Sequence, residues 1–210
     1  MAATAFSESR SASGRELRRY ERLFIGGEWV APLDGGLVDS IDPSDGKPWA
    51  RVAFGGPQDV ARAVLFESGR PVIVFGDDIP ERVQTLDLVV LAWDGGPAAA
   101  RAMADALPIL RRAGEVRVLT VAGDKQGVDD DQASEALRHL RGHGVNAVAD
   151  VVHAHGKTIG QVLSGYLLQH DADLLVMGAF GHSRLRDFIL GGATGHMLGG
   201  GASTPVMMSH

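Results

Sequence analysis

From Leu86 to the C-terminus the chain alternates continuous apolar, β-branched runs with stretches of helical periodicity, and this alternation constrains the fold more than any other feature. The apolar runs are LDLVVLAW (86–93), VRVLTVA (116–122), VNAVADVV (145–152), ADLLVMGA (172–179) and TPVMMS (204–209). Helical patterns lie between them, at about 97–113, 129–141, 158–170 and 193–198. A strand with one solvated face alternates polar and apolar residues; these do not, so both faces are covered. Covered strands separated by helices predict a doubly wound, five-stranded parallel α/β sheet. Such sheets bind ligands at the carboxyl ends of their strands, near the point where the strand order reverses. The loops after Trp93, Ala122 and Gly178 are therefore where chemistry is expected.

The chain before residue 84 follows a different grammar. Residues 1–22 are rich in Ser, Arg, Ala and Glu without apolar periodicity, which predicts a flexible tail with helical character near Arg15–Arg22. In residues 23–64, Gly26-Gly27 inside an apolar run signals a hairpin. Asp42-Pro43-Ser44-Asp45-Gly46 signals a turn, because Pro fixes φ and Gly supplies a positive one. Two or three short antiparallel strands follow from this, forming a β-hairpin extension, and a short helix opens at Pro57 and runs through Val64. Residues 65–83 contain one further strand, Pro71–Phe75, and a linker carrying charge and proline. The domain proper is 84–210.

Composition removes several classes of function. The 20 Lys+Arg against 26 Asp+Glu give a formal charge of -6, which argues against a nucleic-acid partner, since such binders need a clustered basic face. With no Cys, the chain makes no disulfide, thiolate metal site or thiol nucleophile. No run approaches a membrane span and no apolar signal region opens the chain, so a cytoplasmic protein without a membrane partner is expected. Eight histidines fall between His139 and His210; His153 and His155 invite a metal reading, but no nearby Cys or acidic cluster completes a ligand set and no metal is expected. Asp129-Asp130-Asp131 before a helix reads as an N-terminal cap. His182, Arg184 and Arg186 either meet phosphate or face water.

Two strand-end features carry the candidate chemistry. Asp94, in Trp93-Asp94-Gly95-Gly96 before the helix opening at Pro97, either accepts hydrogen bonds from a ribose or adenine amino group or simply makes the turn and caps the helix. Gly178-Ala179-Phe180-Gly181, nine residues, then Gly191-Gly192-Ala193-Thr194 form a glycine-bounded loop that returns to a helix start, where backbone N–H groups attract phosphate. The spacing has the strand-before, helix-after context that such a motif needs.

These residues reach a family. DLLVMGAFGHSRLRDFILGGATGHML, closing with TPVMMSH, together with LVVLAWDGGPAAARAMADALPILRRA, resembles the universal stress protein family, with its G-x2-G-x9-G-[S/T] loop, over residues 84–210. The resemblance implies a Rossmann-like domain of the stress response that binds adenine nucleotide, with contacts on Asp94, Val121, Gly178, Gly181, Gly191, Gly192 and Thr194, and with Mg entering only alongside bound ATP. Gly192 departs from the pattern, standing where binders carry Ser or Thr, and Gly96 stands where Ser is common. A lost charge-assisted hydrogen bond costs about 1.5–3 kcal/mol, one to two decades of affinity, so ATP binding is expected to be weak or lost. If it is lost, the alternative is an interaction protein of the same fold acting through dimerisation. Gly195 and Gly199-Gly200-Gly201 predict a short, frayed last helix.

LFESGRPVIVFG is similar to the end of a preceding tandem domain of the same family. The family's final strand often pairs across a dimer, so either a homodimer or internal pairing of 71–75 with 205–209 is implied. Residues 23–64 resemble the N-terminal segment of aldehyde dehydrogenases, down to the Gly-Gly-Glu-Trp hairpin. The catalytic thiol, the general base and most of the nicotinamide-binding domain of those enzymes have no counterpart here, so no dehydrogenase activity and no catalytic residue are expected. The chain reads as a fusion joined near Val64–Phe66.

Overall fold

The computed structural model describes residues 6–10, 16–25, 27–33, 36–75, 86–122, 132–179, 192–201 and 203–210. They fall into two compact units, Met1–Ser68 and Gly69–His210.

The first unit contains β1 (Phe6–Arg10), β2 (Glu16–Tyr20), β3 (Leu23–Ile25), β4 (Glu28–Val30), β5 (Leu37–Ile41), β6 (Pro48–Ala53) and α1 (Pro57–Glu67). β3 and β4 make the expected hairpin, with Gly27 at φ 80°. β5 and β6 are joined by the expected turn, where Gly46 N–H donates to Asp42 O at 2.8 Å. The segment expected to be a flexible tail, helical near Arg15–Arg22, is instead the β1–β2 pair of a four-stranded sheet ordered β1-β2-β6-β5. β2 pairs antiparallel with β1 and parallel with β6, Arg18 opposite Ala50, and buries Leu17. Two neighbouring strands satisfy its backbone, whereas an isolated eight-residue helix is marginal in water. α1 opens with Pro57 at its first position. The buried Asp59 carboxylate accepts from Gly56 N–H (3.1 Å) and Leu33 N–H (3.2 Å), tying the helix start to the chain before it. The helix continues through Glu67, beyond the Val64 end expected from the sequence, and residues 64–66 lie inside it.

The second unit contains β7 (Val72–Val74), β8 (Leu88–Ala92), α2 (Pro97–Leu110), β9 (Glu115–Ala122), α3 (Gln132–Gly142), β10 (Ala147–His153), α4 (Ile159–Gln169), β11 (Leu174–Gly178), α5 (Gly192–His196) and β12 (Val206–Ser209). They form one six-stranded sheet ordered β10-β9-β8-β11-β12-β7. The first five are parallel, as expected, and β7 adds an antiparallel sixth. The order reverses between β8 and β11. On one face Val89, Val118 and Val176 pack against Ala102 and Ala106 of α2 and Leu140 of α3. Arg117, pointing the other way from Val116 and Val118, meets Tyr166 of α4 on the opposite face. The internal pairing of the spare strand is present: Val74, Ile73 and Val72 lie opposite Val206, Met207 and Met208, and β12 is buried throughout. α5 is short, as the glycines predicted, and gives way to a wide turn at Met197–Gly201 broken by Gly200 at φ 78°.

Candidate functional site

At the reversal point β8 ends before β9 does. Trp93 N–H donates to Leu119 O at 2.8 Å, and the chain then turns away toward α2. In a strand, backbone groups two residues apart point the same way. The N–H and C=O of Val121 thus lie on the β8 side, like those of Leu119, two residues beyond the last link to Trp93. On its other side β9 continues against β10, with Val121 opposite Val152.

The turn that follows Trp93 is closed by Asp94. Its Oδ1 accepts from Gly96 N–H at 2.8 Å, Gly95 supplies φ 72°, and Gly96, which brings no side chain to the cap, precedes Pro97 at the start of α2. Asp94 therefore makes the turn, whereas α2 has no side-chain cap at Gly96, and Asp94 is exposed. A Cβ at Gly96 would stand 3.0 Å from Asp94 Oδ1, so a side chain at 96 would press on the carboxylate.

Gly178 closes β11 under the first turn of α2. A Cβ there would lie 2.5 Å from Ala98 C and from Ala99 N. Its missing side chain thus admits α2, where the sequence suggested close approach of a ligand. Asp94, Val121 and Gly178 are brought together at the carboxyl ends of β8, β9 and β11. Gly192 is exposed at the start of α5, a Cβ there would meet nothing within 4 Å among the described residues, and Thr194 is only 3% exposed. Gly181 and Gly191 lie outside the described residues, as do His182, Arg184, Arg186 and Asp129–Asp131.

Two polar clusters were not singled out from the sequence. His196 at the end of α5 lies against Gly160 of α4, and its Nε2 is 3.0 Å from Ser164 Oγ. On the α4 face of the sheet, Tyr166 OH donates to Asp150 Oδ2 at 2.5 Å, and Arg117 reaches Glu115 (2.7 Å), His170 Nδ1 (2.9 Å) and Tyr166 OH (3.4 Å). Burial, with the hydrogen bond to Asp150, raises the pKa of Tyr166 above its ordinary value near 10. The bonds to Tyr166 and Glu115 move Arg117 further above its ordinary value. Both clusters join residues from different elements, so only long-range pairing, invisible to local spacing, assembles them. His153 and His155 sit with ring centroids 5.9 Å apart, and among the described residues no three His, Asp or Glu side chains gather as a metal site.

Against protein-family models, residues 86–210 match the Universal stress protein family. The chain belongs to the universal stress protein family. Solved structures similar to this universal stress protein include one from Lactobacillus plantarum, 19% identical, covering 60% of this chain and 99% of that one at TM-score 0.45. Another, from Archaeoglobus fulgidus, is 20% identical over 59% of this chain and 97% of its own, at TM-score 0.46. A third, a universal stress protein in complex with cAMP, is 19% identical over 60% and 98%, at TM-score 0.49. Among curated proteins, a long-chain-aldehyde dehydrogenase from an Acinetobacter species is 44% identical over 46 residues, 22% of this chain and 9% of that protein. An aldehyde dehydrogenase from Deinococcus radiodurans is 27% identical over 106 residues, 44% of this chain and 20% of that protein. The chain thus spans a fifth or less of the length of these two enzymes. No helix among the described residues is long and apolar enough to cross a membrane.

Proposed function

We propose that this chain is a cytoplasmic stress-response module that binds adenine nucleotide weakly at the carboxyl edge of β8, β9 and β11. The observation that carries the reading is the way β9 outruns β8, leaving the Val121 backbone pair facing the gap beside the exposed Asp94. A donor and an acceptor on one strand edge suit the edge of an adenine ring. Asp94 suits a ribose hydroxyl or the adenine amino group, since a carboxylate accepts from both. The phosphates run toward the glycine loop, where the resemblance implies contacts at Gly181, Gly191, Gly192 and Thr194, the space at Gly178 being taken by α2, and Mg enters only with ATP. Weakness follows from Gly192, which offers the phosphates no hydroxyl; the missing bond is worth about 1.5–3 kcal/mol. Isothermal titration with ATP and AMP at millimolar concentration tests the proposal, and absence of both heat and thermal stabilisation would refute it.

A second reading, an interaction protein of the same fold without a nucleotide, is favoured by the burial of Thr194 and the missing hydroxyl at Gly192. It predicts that ATP neither binds nor stabilises, and that dimer formation is indifferent to nucleotide. We propose no aldehyde oxidation for the first unit.

A further inference from the structure

α5 is seated on α4 by a notch at a glycine. A Cβ built on Gly160 would lie 2.5 Å from His196 Cβ, 2.7 Å from its Cγ and 2.9 Å from its Cδ2. The nearest of these is fixed to the α5 backbone, so no rotation of the His196 side chain makes room. One turn further along α4, Ser164 Oγ lies 3.0 Å from His196 Nε2. Gly160 is buried near the start of a helix capped by Thr158, whose hydroxyl accepts from Gln161 N–H at 3.3 Å. Ala is the better helix former at such a place. The glycine gives up helix propensity and admits His196.

His196 ends the arm that begins at Gly192, and the wide turn after it contains the left-handed Gly200. The contact with α4 is thus the arm's firm point. Asp94 and Val121 stand on the ends of β8 and β9, elements that the His196 contact does not touch. We infer that Gly160, Ser164 and His196 form a positioning latch that sets the arm carrying Gly192 and Thr194, and so governs how tightly the phosphates of a nucleotide are held while leaving the adenosine end alone. This inference rests on the nucleotide reading above.

Selectivity between the two ends of the ligand tests the latch. In the full chain, Gly160→Ala and His196→Ala are expected to weaken ATP about tenfold, the scale of one hydrogen bond to a charged group, and to leave adenosine within twofold. Ser164→Ala is expected to shift ATP in the same direction by less. His196→Gln, which keeps a side-chain amide toward Ser164, restores part of the loss. A purely structural defect would move ATP and adenosine together, and that result, or unchanged ATP affinity in Gly160→Ala, would overturn the inference. Wild-type protein that binds neither ligand would refute the nucleotide reading instead. The latch is then read by amide chemical shifts without ligand: Gly160→Ala should move Gly192 and Thr194 and leave Asp94 and Val121 in place. Unmoved Gly192 and Thr194 would dismiss it.

Discussion

Gly178 and Gly192 come from one glycine-rich stretch of sequence, but the space around them differs. At Gly192 a Cβ meets nothing within 4 Å among the described residues. Gly192→Ser is therefore expected to fold normally and, by restoring one hydrogen bond to phosphate, to tighten ATP by about 1.5–3 kcal/mol, roughly ten- to a hundredfold. Calorimetric titration of the variant checks this, and unchanged affinity would show that the hydroxyl is not the deciding defect. At Gly178 the obstacle is the α2 backbone at 2.5 Å. Gly178→Ala should cost about 1–3 kcal/mol by overpacking, seen as a lower Tm, and Ala98→Gly should not rescue it because Ala98 C and Ala99 N remain in the way. The sequence marks both as site glycines through spacing alone. That Gly178 faces a helix depends on how α2 lies across β11, and no local pattern encodes that.

Among the elements, the inner strands β8 and β11 were readable because they are buried on both faces and lack polar interruption, as at Val89, Val90 and Leu91, whereas the edge strand β10 is largely exposed and carries Asp150. Glu16–Tyr20 was misread because its local composition is polar and its strand character comes from β1 and β6, which lie elsewhere in the chain. The link between α4 and β10 through Tyr166 and Asp150 is another long-range pairing, and it makes a pH prediction. A phenol whose folded pKa is raised contributes stability that is complete below its ordinary value near 10 and is lost as pH rises through the higher folded value. Unfolding measured across pH 8–12 should show stability falling in the alkaline range, and Tyr166→Phe should flatten that fall. An identical profile in the variant would remove Tyr166 as its source. In the first unit, Asp59→Ala leaves the Gly56 and Leu33 N–H groups without their acceptor and should cost about 1–3 kcal/mol, which denaturant unfolding of that unit would read.

At the level of the whole molecule, residues 86–210 match the universal stress protein family, while a 46-residue stretch of the chain is 44% identical to a long-chain-aldehyde dehydrogenase. β7 belongs with the second unit, since it covers β12. Removing residues 1–64 should therefore leave a folded, soluble unit, whereas removal through Phe75 uncovers the β12 edge and should promote dimerisation or aggregation. Size-exclusion chromatography of the two truncations distinguishes these outcomes, and identical elution behaviour would mean that β7 does not seal the edge. Nucleotide binding at the β8–β9 edge is decided by calorimetric titration of the full chain with ATP beside the Asp94→Ala variant. Saturable one-site binding at millimolar ATP that Asp94→Ala abolishes is expected; absence of heat in the wild type, or equal binding by both proteins, would refute binding at this edge.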